Sequence, residues 1–313
     1  MNSSSNQHSQ SFSDLELVSD RIIFKLKRDL FPTLSSNSSK NDINNNRNNN
    51  KEIILSELTK IQMEIDDERF PISLKLKIAK SLIERVVCDP QGGGEQNVSL
   101  FSSSSSMAEQ RHFGYTIIQK AMVKPSNFQD EKDKEELMAI IQRELELSAR
   151  SGYQEPWPVK SKVAQITAEF IKREGSLVWI EFAKAIRRML KSECAFEQEL
   201  AAIITRYVAE DVALHSEEVF ADKVRDLLSG MTSTIDEITR ALFEALERNF
   251  RVENMFFEQN YNQQMARQHS NATIAILETV SVYAEWAPLV PFVRSGLVDS
   301  CAALLVRSRV ALI

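Results

Sequence analysis

Two helical hydrophobic patterns separated by a single glycine occupy the centre of the chain, at residues 157–190. The apolar positions of the first pattern recur every three or four residues, as one face of an α-helix requires, and are Val159, Val163, Ile166, Phe170 and Ile171. Gly175 ends this helix, and the apolar face of the second comprises Trp179, Ile180, Ala183, Ile186 and Leu190. Helices joined by so short a turn lie antiparallel, and one such hairpin needs neighbours to bury its apolar surface.

Similar helical patterns lie on both sides of this hairpin. They cover residues 13–34, 51–65, 72–87, 109–123, 133–149, 196–208, 224–250, 265–286 and 290–306. The long pattern at 224–250 contains Gly230 as a candidate bend, and we expect an amide-rich connection at 251–264. Pairs of patterns recur about every 40 residues, which is typical of HEAT or armadillo units, and no alternating run of strand length occurs. The sequence therefore predicts an all-α fold, an α-solenoid of HEAT/armadillo-like helical hairpins without a sheet.

The N-terminal third differs from the rest in composition. Residues 1–13 and 35–50 are almost entirely Ser, Asn and Gln, which bury too little apolar surface to offset chain entropy, so we expect disorder there. We therefore divide the chain into a largely disordered part at 1–50 with one short amphipathic helix, an early helical pair with a Gly/Ser-rich linker at 51–106, and a HEAT-repeat solenoid at 107–313. The chain ends on an apolar segment without a polar capping helix, so we expect a solenoid truncated at its C-terminus.

The inventory for catalysis is poor. The sequence has no GxSxG, HExxH, Walker A or GxGxxG motif, and its four histidines lie in unrelated settings. Cys88, Cys194 and Cys301 are far apart, which argues against a disulfide framework or a zinc site. We therefore expect no enzyme, no cofactor and no metal. The most apolar segment, 287–313, is interrupted by charged residues, so no membrane partner is expected either.

A basic edge on the second helix of the central hairpin is the candidate partner-binding site. It consists of Lys184, Arg187, Arg188 and Lys191, which fall mostly off the apolar stripe. This edge suits contact with an acidic protein or with RNA phosphates, and a solvated helix face is the alternative. Trp179 at the hairpin turn is interpreted as inter-helix core rather than as a docking aromatic, and Tyr283 and Trp286 near the end of a later helix are interpreted in the same way.

Four short motifs stand in an order and approximate spacing that are similar to those of a known family. They are Arg111-His112-Phe113-Gly114, Lys172-Arg173-Glu174-Gly175, Ala209-Glu210-Asp211-Val212, and Tyr283-Ala284-Glu285-Trp286-Ala287-Pro288. Phe250, an Arg267-Gln268-His269 turn and Cys301 also fit. With these motifs the chain resembles the N-terminal region of importin-β-type transport receptors, and among them the exportin five family, called Hasty in plants.

The resemblance implies a superhelical HEAT-repeat receptor that binds Ran-GTP through its N-terminal repeats. It further implies a monomer that contacts nucleoporins, shuttles between nucleus and cytoplasm, and exports structured RNA, such as microRNA precursors or tRNA, or protein cargo. Ran-GTP and cargo would each favour the same closed coil. Two alternatives stay open at this point, an importin-type receptor of another branch and a HEAT-repeat scaffold unrelated to Ran.

Overall fold

The computed structural model of the chain describes residues 4–30, 47–68, 70–84, 105–124, 127–151, 156–213, 221–259 and 263–310. Within these ranges the regular structure is helical and contains no strand. Packed helical hairpins make up the fold, which confirms the prediction of an all-α protein of the α-solenoid class. The linker expected near residues 92–104 and most of the stretch expected to be disordered at 35–50 lie outside the described residues.

Twelve α-helices are assigned in the described part of the chain. They are α1 Ser4–Lys25, continued by a π-helical turn at Leu26–Leu30, α2 Arg47–Asp66, α3 Ile72–Ile83, α4 Ser105–Val123, α5 Glu131–Ser151, α6 Trp157–Glu174, α7 Ser176–Lys191, α8 Ala195–Ala213, α9 Ala221–Gln259, α10 Gln263–Trp286, α11 Leu289–Ser295 and α12 Leu297–Val310. The chain forms two compact units, Met1–Gln142 with Glu155–Lys162, and Arg143–Gln154 with Val163–Ile313.

The first unit contains two antiparallel helix pairs. Ion pairs from Arg21 to Glu64 (3.3 Å) and from Lys25 to Glu57 (2.6 Å) join α1 and α2 in opposite directions. In the second pair, Gln110 near the start of α4 donates to the carbonyl of Leu82 near the end of α3, at 3.0 Å. Both pairs bury apolar side chains, including Leu26, Ile65, Leu76 and Ile117, and this burial is the main stabilising contribution in such hairpins.

The Arg111–Gly114 motif is explained by the packing of α4 on α3. Arg111 is buried, and its Nε donates to the carbonyl of Ile83, the last residue of α3, at 3.3 Å. This bond supplies a partner for one of the carbonyls that a helix end leaves unsatisfied. A Cβ on Gly114 would lie 2.9 Å from Ile83 Cγ1 and 3.0 Å from the Ala79 carbonyl oxygen, so only glycine allows this approach. The motif therefore has a structural role in the hairpin.

In the second unit, alternate helices are parallel to each other. Contacts between α7 and α9 run in the same direction along both, from Ser176 with Asp226 to Lys191 with Glu244. Helices α8 and α10 are also parallel. Near their starts, the buried Asn249 of α9 contacts both Gln198 of α8 and His269 of α10. Further along, the Ala202 carbonyl accepts from Thr279 and Arg206 pairs with Glu278. Helices that alternate between two parallel sets are typical of a solenoid built from hairpins.

Three predicted helix boundaries are wrong. Helix α9 continues to Gln259, so no connection starts at residue 251, because the amide-rich segment contains neither Gly nor Pro to end the helix. For the same reason residues 267–269 lie inside α10 rather than in a turn. The helix predicted at 290–306 is divided at Gly296, whose φ of 81° caps α11.

The N-terminal helices also begin earlier than predicted. Helix α1 starts at Ser4 and α2 starts at Arg47, both inside stretches for which disorder was expected. Helix α9 continues through Gly230, the candidate bend. Helices α6 and α7 begin and end within one residue of the predicted positions.

Candidate partner-binding surface

Helix α7 begins at an interaction that is long-range in sequence. Gly175 has φ 94° and ψ −158°, a backbone conformation that is essentially restricted to glycine. The backbone N–H of Ser176 donates to Asp226 Oδ2 at 2.8 Å, and Ser176 Oγ donates to Asp226 Oδ1 at 2.9 Å. These hydrogen bonds, the backbone one first, lower the pKa of Asp226. A carboxylate of α9 thus caps α7 and stabilises the positive end of its dipole.

Close packing of α9 on α7 follows directly after this cap. A Cβ on Gly230 would lie 2.8 Å from Ser176 Cβ and 3.4 Å from Trp179 Cδ1, so the glycine allows the two helices to touch. Trp179 is fully buried, and its Nε1 donates to Thr234 Oγ1 at 2.9 Å. The interpretation of Trp179 as inter-helix core is confirmed, and its buried N–H has the partner that such a group needs.

Two members of the predicted basic edge face α9. Arg187 Nη1 pairs with Glu237 Oε2, and Lys191 Nζ lies 3.7 Å from Glu244 Oε2. Arg187 Nε is buried away from solvent, which places this guanidinium in the contact between the helices. We call the set of contacts from Asp226 to Glu244 the α7–α9 seam. Glu237 neutralises the partly buried Arg187, which stabilises the contact between the helices, whereas the pair of Lys191 with Glu244 lies at the surface and contributes little to stability.

The other two members, Lys184 and Arg188, are exposed, as is Lys191. They share the outward face of α7 with Leu177, which is 79% exposed, and Ile180, which is 36% exposed. We call these four residues the α7 outer stripe. An exposed leucine and isoleucine followed by two cations one and two turns later suit a partner that offers both apolar contact and negative charge.

Glu197 on α8 is the described carboxylate that acts electrostatically on Arg188. Burial raises the pKa of Glu197, whereas a hydrogen bond from Ser192 and the positive charge of Arg188 lower it. Arg188 nevertheless remains exposed, so it combines an interaction inside the unit with a surface that a partner can reach. Lys184 has a solvent-facing ammonium on the same stripe.

The sequence interpretation missed the carboxylates of α9. Asp226 and Glu237 each lie 50 positions after the residue they bind, Ser176 and Arg187, because α7 and α9 are parallel and in register. A search for oppositely charged helical positions at one constant offset would have indicated this pairing. Hydrophobic periodicity alone does not, since it says which face of a helix is buried but not which helix covers it.

The Tyr283–Pro288 motif forms the end of α10. Tyr283 is 1% exposed, its ring centroid lies 5.0 Å from that of Trp286, and burial raises the pKa of its hydroxyl. The core interpretation is confirmed for Tyr283, and Trp286 packs against it at a tilted angle. Pro288 precedes α11 as the residue before its first turn.

Two kinds of site are absent from the described residues. No group of three or more His, Cys, Asp or Glu side chains in the described ranges is arranged to hold a metal ion. Among the helices that the structure describes, none combines the length and the apolar character that crossing a membrane requires.

Comparison with known proteins relates about half of this chain to one family. Residues 156–311 match the profile of the exportin 1-like protein family, and this range contains α6 to α12. The chain is also 31% identical over 177 residues to protein HASTY 1 of Arabidopsis thaliana, a match that covers 56% of this chain and 15% of that relative. The match agrees with the resemblance to Hasty that the motifs indicated. The chain therefore belongs to the exportin superfamily, a family of nuclear export receptors.

Proposed function

We propose that this chain is part of a nuclear export receptor that binds Ran-GTP and carries structured RNA or protein cargo through the nuclear pore. The exportin-like segment and the likeness to HASTY 1 support this proposal. The chain spans about 15% of the length of that relative, so we propose that it contacts only some of the ligands of such a receptor. The proposal includes nucleoporin contact and shuttling between nucleus and cytoplasm.

The observation that carries the proposal is the α7 outer stripe within the exportin-like segment. Lys184 and Arg188 present positive charge to solvent, beside the exposed side chains of Leu177 and Ile180. Such a surface suits an acidic protein face with an apolar centre, because charge steers the encounter and apolar burial stabilises the complex. Arg187, by contrast, pairs with Glu237 of α9, so it acts on the stripe by positioning α7.

Export requires that the two ligands raise each other's affinity. Ran-GTP and cargo each select the same conformation of the receptor, so binding of one lowers the free energy needed to bind the other. Hydrolysis of GTP then removes the coupling, and both ligands leave. An importin-type receptor has the opposite sign of coupling, because Ran-GTP lowers its affinity for cargo, and a HEAT-repeat scaffold unrelated to Ran has none.

The test is a titration of the full chain with Ran loaded with a non-hydrolysable GTP analogue and, separately, with GDP. Tighter binding of the GTP form supports the proposal, and equal binding of both forms contradicts it. A hairpin RNA titrated with and without Ran-GTP then gives the sign of the coupling. A rise in RNA affinity supports export, whereas a fall indicates an importin-type receptor.

Variants of the outer stripe locate the contact. Lys184→Glu with Arg188→Glu should weaken Ran-GTP or RNA binding by about tenfold or more, because two favourable charges become repulsive. The matched control is Lys27→Glu with Lys132→Glu, which makes the same change of net charge on exposed positions outside the exportin-like segment. Equal weakening by both double variants would show a general charge effect and remove the stripe from the proposal. Circular dichroism checks that both variants remain helical.

A further inference from the structure

A cavity of about 260 Å³ lies in the first unit, where the end of α2, the start of α3 and the end of α4 meet. Its polar lining comprises Asp66, Lys75, Lys120, Lys124 and Asn127. Three ammonium groups thus surround one cavity that has a single carboxylate in its lining. None of these residues belongs to the exportin-like segment, and the α7 outer stripe lies in the other unit.

Lys75 is the unusual member of this set. It is only 6% exposed, and its ammonium has one hydrogen bond, to the Asp67 carbonyl at the long distance of 3.5 Å. Among the described residues no carboxylate lies within ion-pair distance of it. Burial lowers the pKa of Lys75, and Lys124 lowers it further, whereas the more distant carboxylates of Asp66, Asp67 and Glu68 raise it. A buried ammonium without an ion-pair partner at contact distance is costly, and an anion in the cavity would provide that contact.

The other two lysines are held more loosely, at the edge of the cavity. Lys120 Nζ lies 2.9 Å from Asp66 Oδ2, and Lys124 Nζ lies 3.1 Å from Glu68 Oε1. These four side chains are 39% to 88% exposed, and such surface ion pairs contribute little to stability. Lys120 can therefore turn towards a ligand at small cost. Asn127 is fixed nearby, because its amide donates to the Ala121 carbonyl at 2.6 Å.

We propose that the cavity lined by these three lysines binds the phosphoryl group of a small phosphate monoester. A monoester dianion carries about two negative charges and three acceptor oxygens, which three ammonium groups match better than they match a carboxylate. The side chains of Ala121 and Val123 form an apolar part of the lining, against which a small organic group can pack. The volume accommodates one phosphoryl group with a small substituent.

The experiment is a calorimetric titration of the full chain with phenyl phosphate, inorganic phosphate and dimethyl phosphate, at constant ionic strength set with chloride. Phenyl phosphate should bind most tightly, inorganic phosphate next, and the singly charged diester least. No heat beyond the chloride control for any of the three would overturn the proposal. Equal affinity for dimethyl phosphate would also overturn it, since that result indicates a site for nucleic-acid-like diesters. Constant ionic strength is essential because exposed charges are screened by salt.

Two variants with opposite expected effects make the test specific. Lys75→Met keeps the length of the side chain and removes its charge, and it should weaken phenyl phosphate binding by about 10- to 100-fold, the effect of losing a charge-assisted hydrogen bond. Asp66→Asn removes the carboxylate that competes for Lys120, and it should strengthen binding. The exposed Lys132→Met is the matched control and should leave affinity unchanged.

A substitute lysine variant keeps the test decisive if Lys75→Met does not fold. If circular dichroism shows that Lys75→Met is unfolded, Lys120→Met takes its place, because that side chain is half exposed. Unchanged affinity in the folded lysine variant, or weaker binding in Asp66→Asn, would refute the assignment of the cavity as an anion site.

Discussion

Replacement of Gly230 by alanine tests whether close contact in the α7–α9 seam is essential to the second unit. The new Cβ would lie 2.8 Å from Ser176 Cβ and 3.3 Å from Ser176 Cα. Neither atom is the end of a flexible side chain, since both belong to the first residue of α7. Helix α9 must therefore move away from α7, which loosens the packing of Trp179 and the cap from Asp226.

Two effects of opposite sign decide the magnitude. Alanine is a better helix former than glycine by about 1 kcal/mol, which favours the variant. Insertion of a methyl group into a closely packed contact costs about 1 to 3 kcal/mol. The clash is expected to exceed the gain in helix propensity, so Gly230→Ala should be destabilised by about 1 kcal/mol. Ser229→Ala, at an exposed position of the same helix, isolates the propensity effect and should be neutral or slightly stabilising.

Urea unfolding of the full chain, followed by circular dichroism and by tryptophan fluorescence, measures the change. A lower midpoint with an unchanged slope indicates a loss of stability. Ser176→Gly removes the Cβ that the new methyl group on α9 would meet, and it also removes the hydrogen bond from Ser176 Oγ to Asp226. The double variant should therefore lose less stability than the sum of the two single losses. If Gly230→Ala is as stable as Ser229→Ala, the close contact does not limit the packing of α7 on α9, and the explanation given for this glycine is wrong.

Three further predictions follow from single contacts. Lys25 first and Lys60 second lower the pKa of Glu57 to about 2 from an ordinary value of 4.5. Because the pKa of Glu57 is lower in the folded than in the unfolded state, its contribution to stability is present above about pH 4.5 and is lost as the pH falls towards 2. NMR of the carboxyl carbon measures this pKa, and a value near 4.5 would contradict the ion pairs. Gly296→Ala should lower the stability by about 1 to 2 kcal/mol in thermal unfolding, because the φ of Gly296 is 81°, and Gly296→Asn should cost less. Equal stability of the two variants and the original protein would argue against the left-handed cap. Asn249→Leu should lower the free energy of unfolding by about 3 kcal/mol in urea, because buried polar atoms of Gln198 and His269 would lose this hydrogen-bond partner. Asn271→Leu at an exposed position is the control. Similar effects of both variants would refute the role of the buried network.

The central hairpin is predictable from sequence because its signals are local. The apolar faces of α6 and α7 repeat within each helix, and Gly175 alone can adopt the conformation between them. The end of α9 was mispredicted for an equally physical reason. Amide-rich composition was interpreted as a connection, yet Asn and Gln are only weakly unfavourable in helices, and without Gly or Pro the helix continues to Gln259.

The candidate site is predictable only in part, because its neutralising partners are distant in sequence. The four cations of α7 look equivalent in the sequence of that helix alone. The register of α7 against α9 pairs Arg187 and Lys191 with carboxylates of α9, whereas Lys184 and Arg188 lie at the surface outside these two pairs. Register depends on where the long helix begins and on the fit of Gly230 beneath Ser176. Neither is contained in the periodicity of α7 itself.

This division changes how the surface must be tested. A double reversal of Arg187 and Arg188 to Glu, the natural choice from sequence, would place a negative charge against Glu237 and repel α9 from α7. Loss of partner binding would then have two causes, a damaged seam and an altered surface, and the result would not separate them. Reversal of Lys184 and Arg188 leaves the seam ion pairs of Arg187 and Lys191 intact. Because Arg188 also acts on the buried Glu197, the single change Lys184→Glu is the cleaner variant, and weaker binding in that variant reports on the surface.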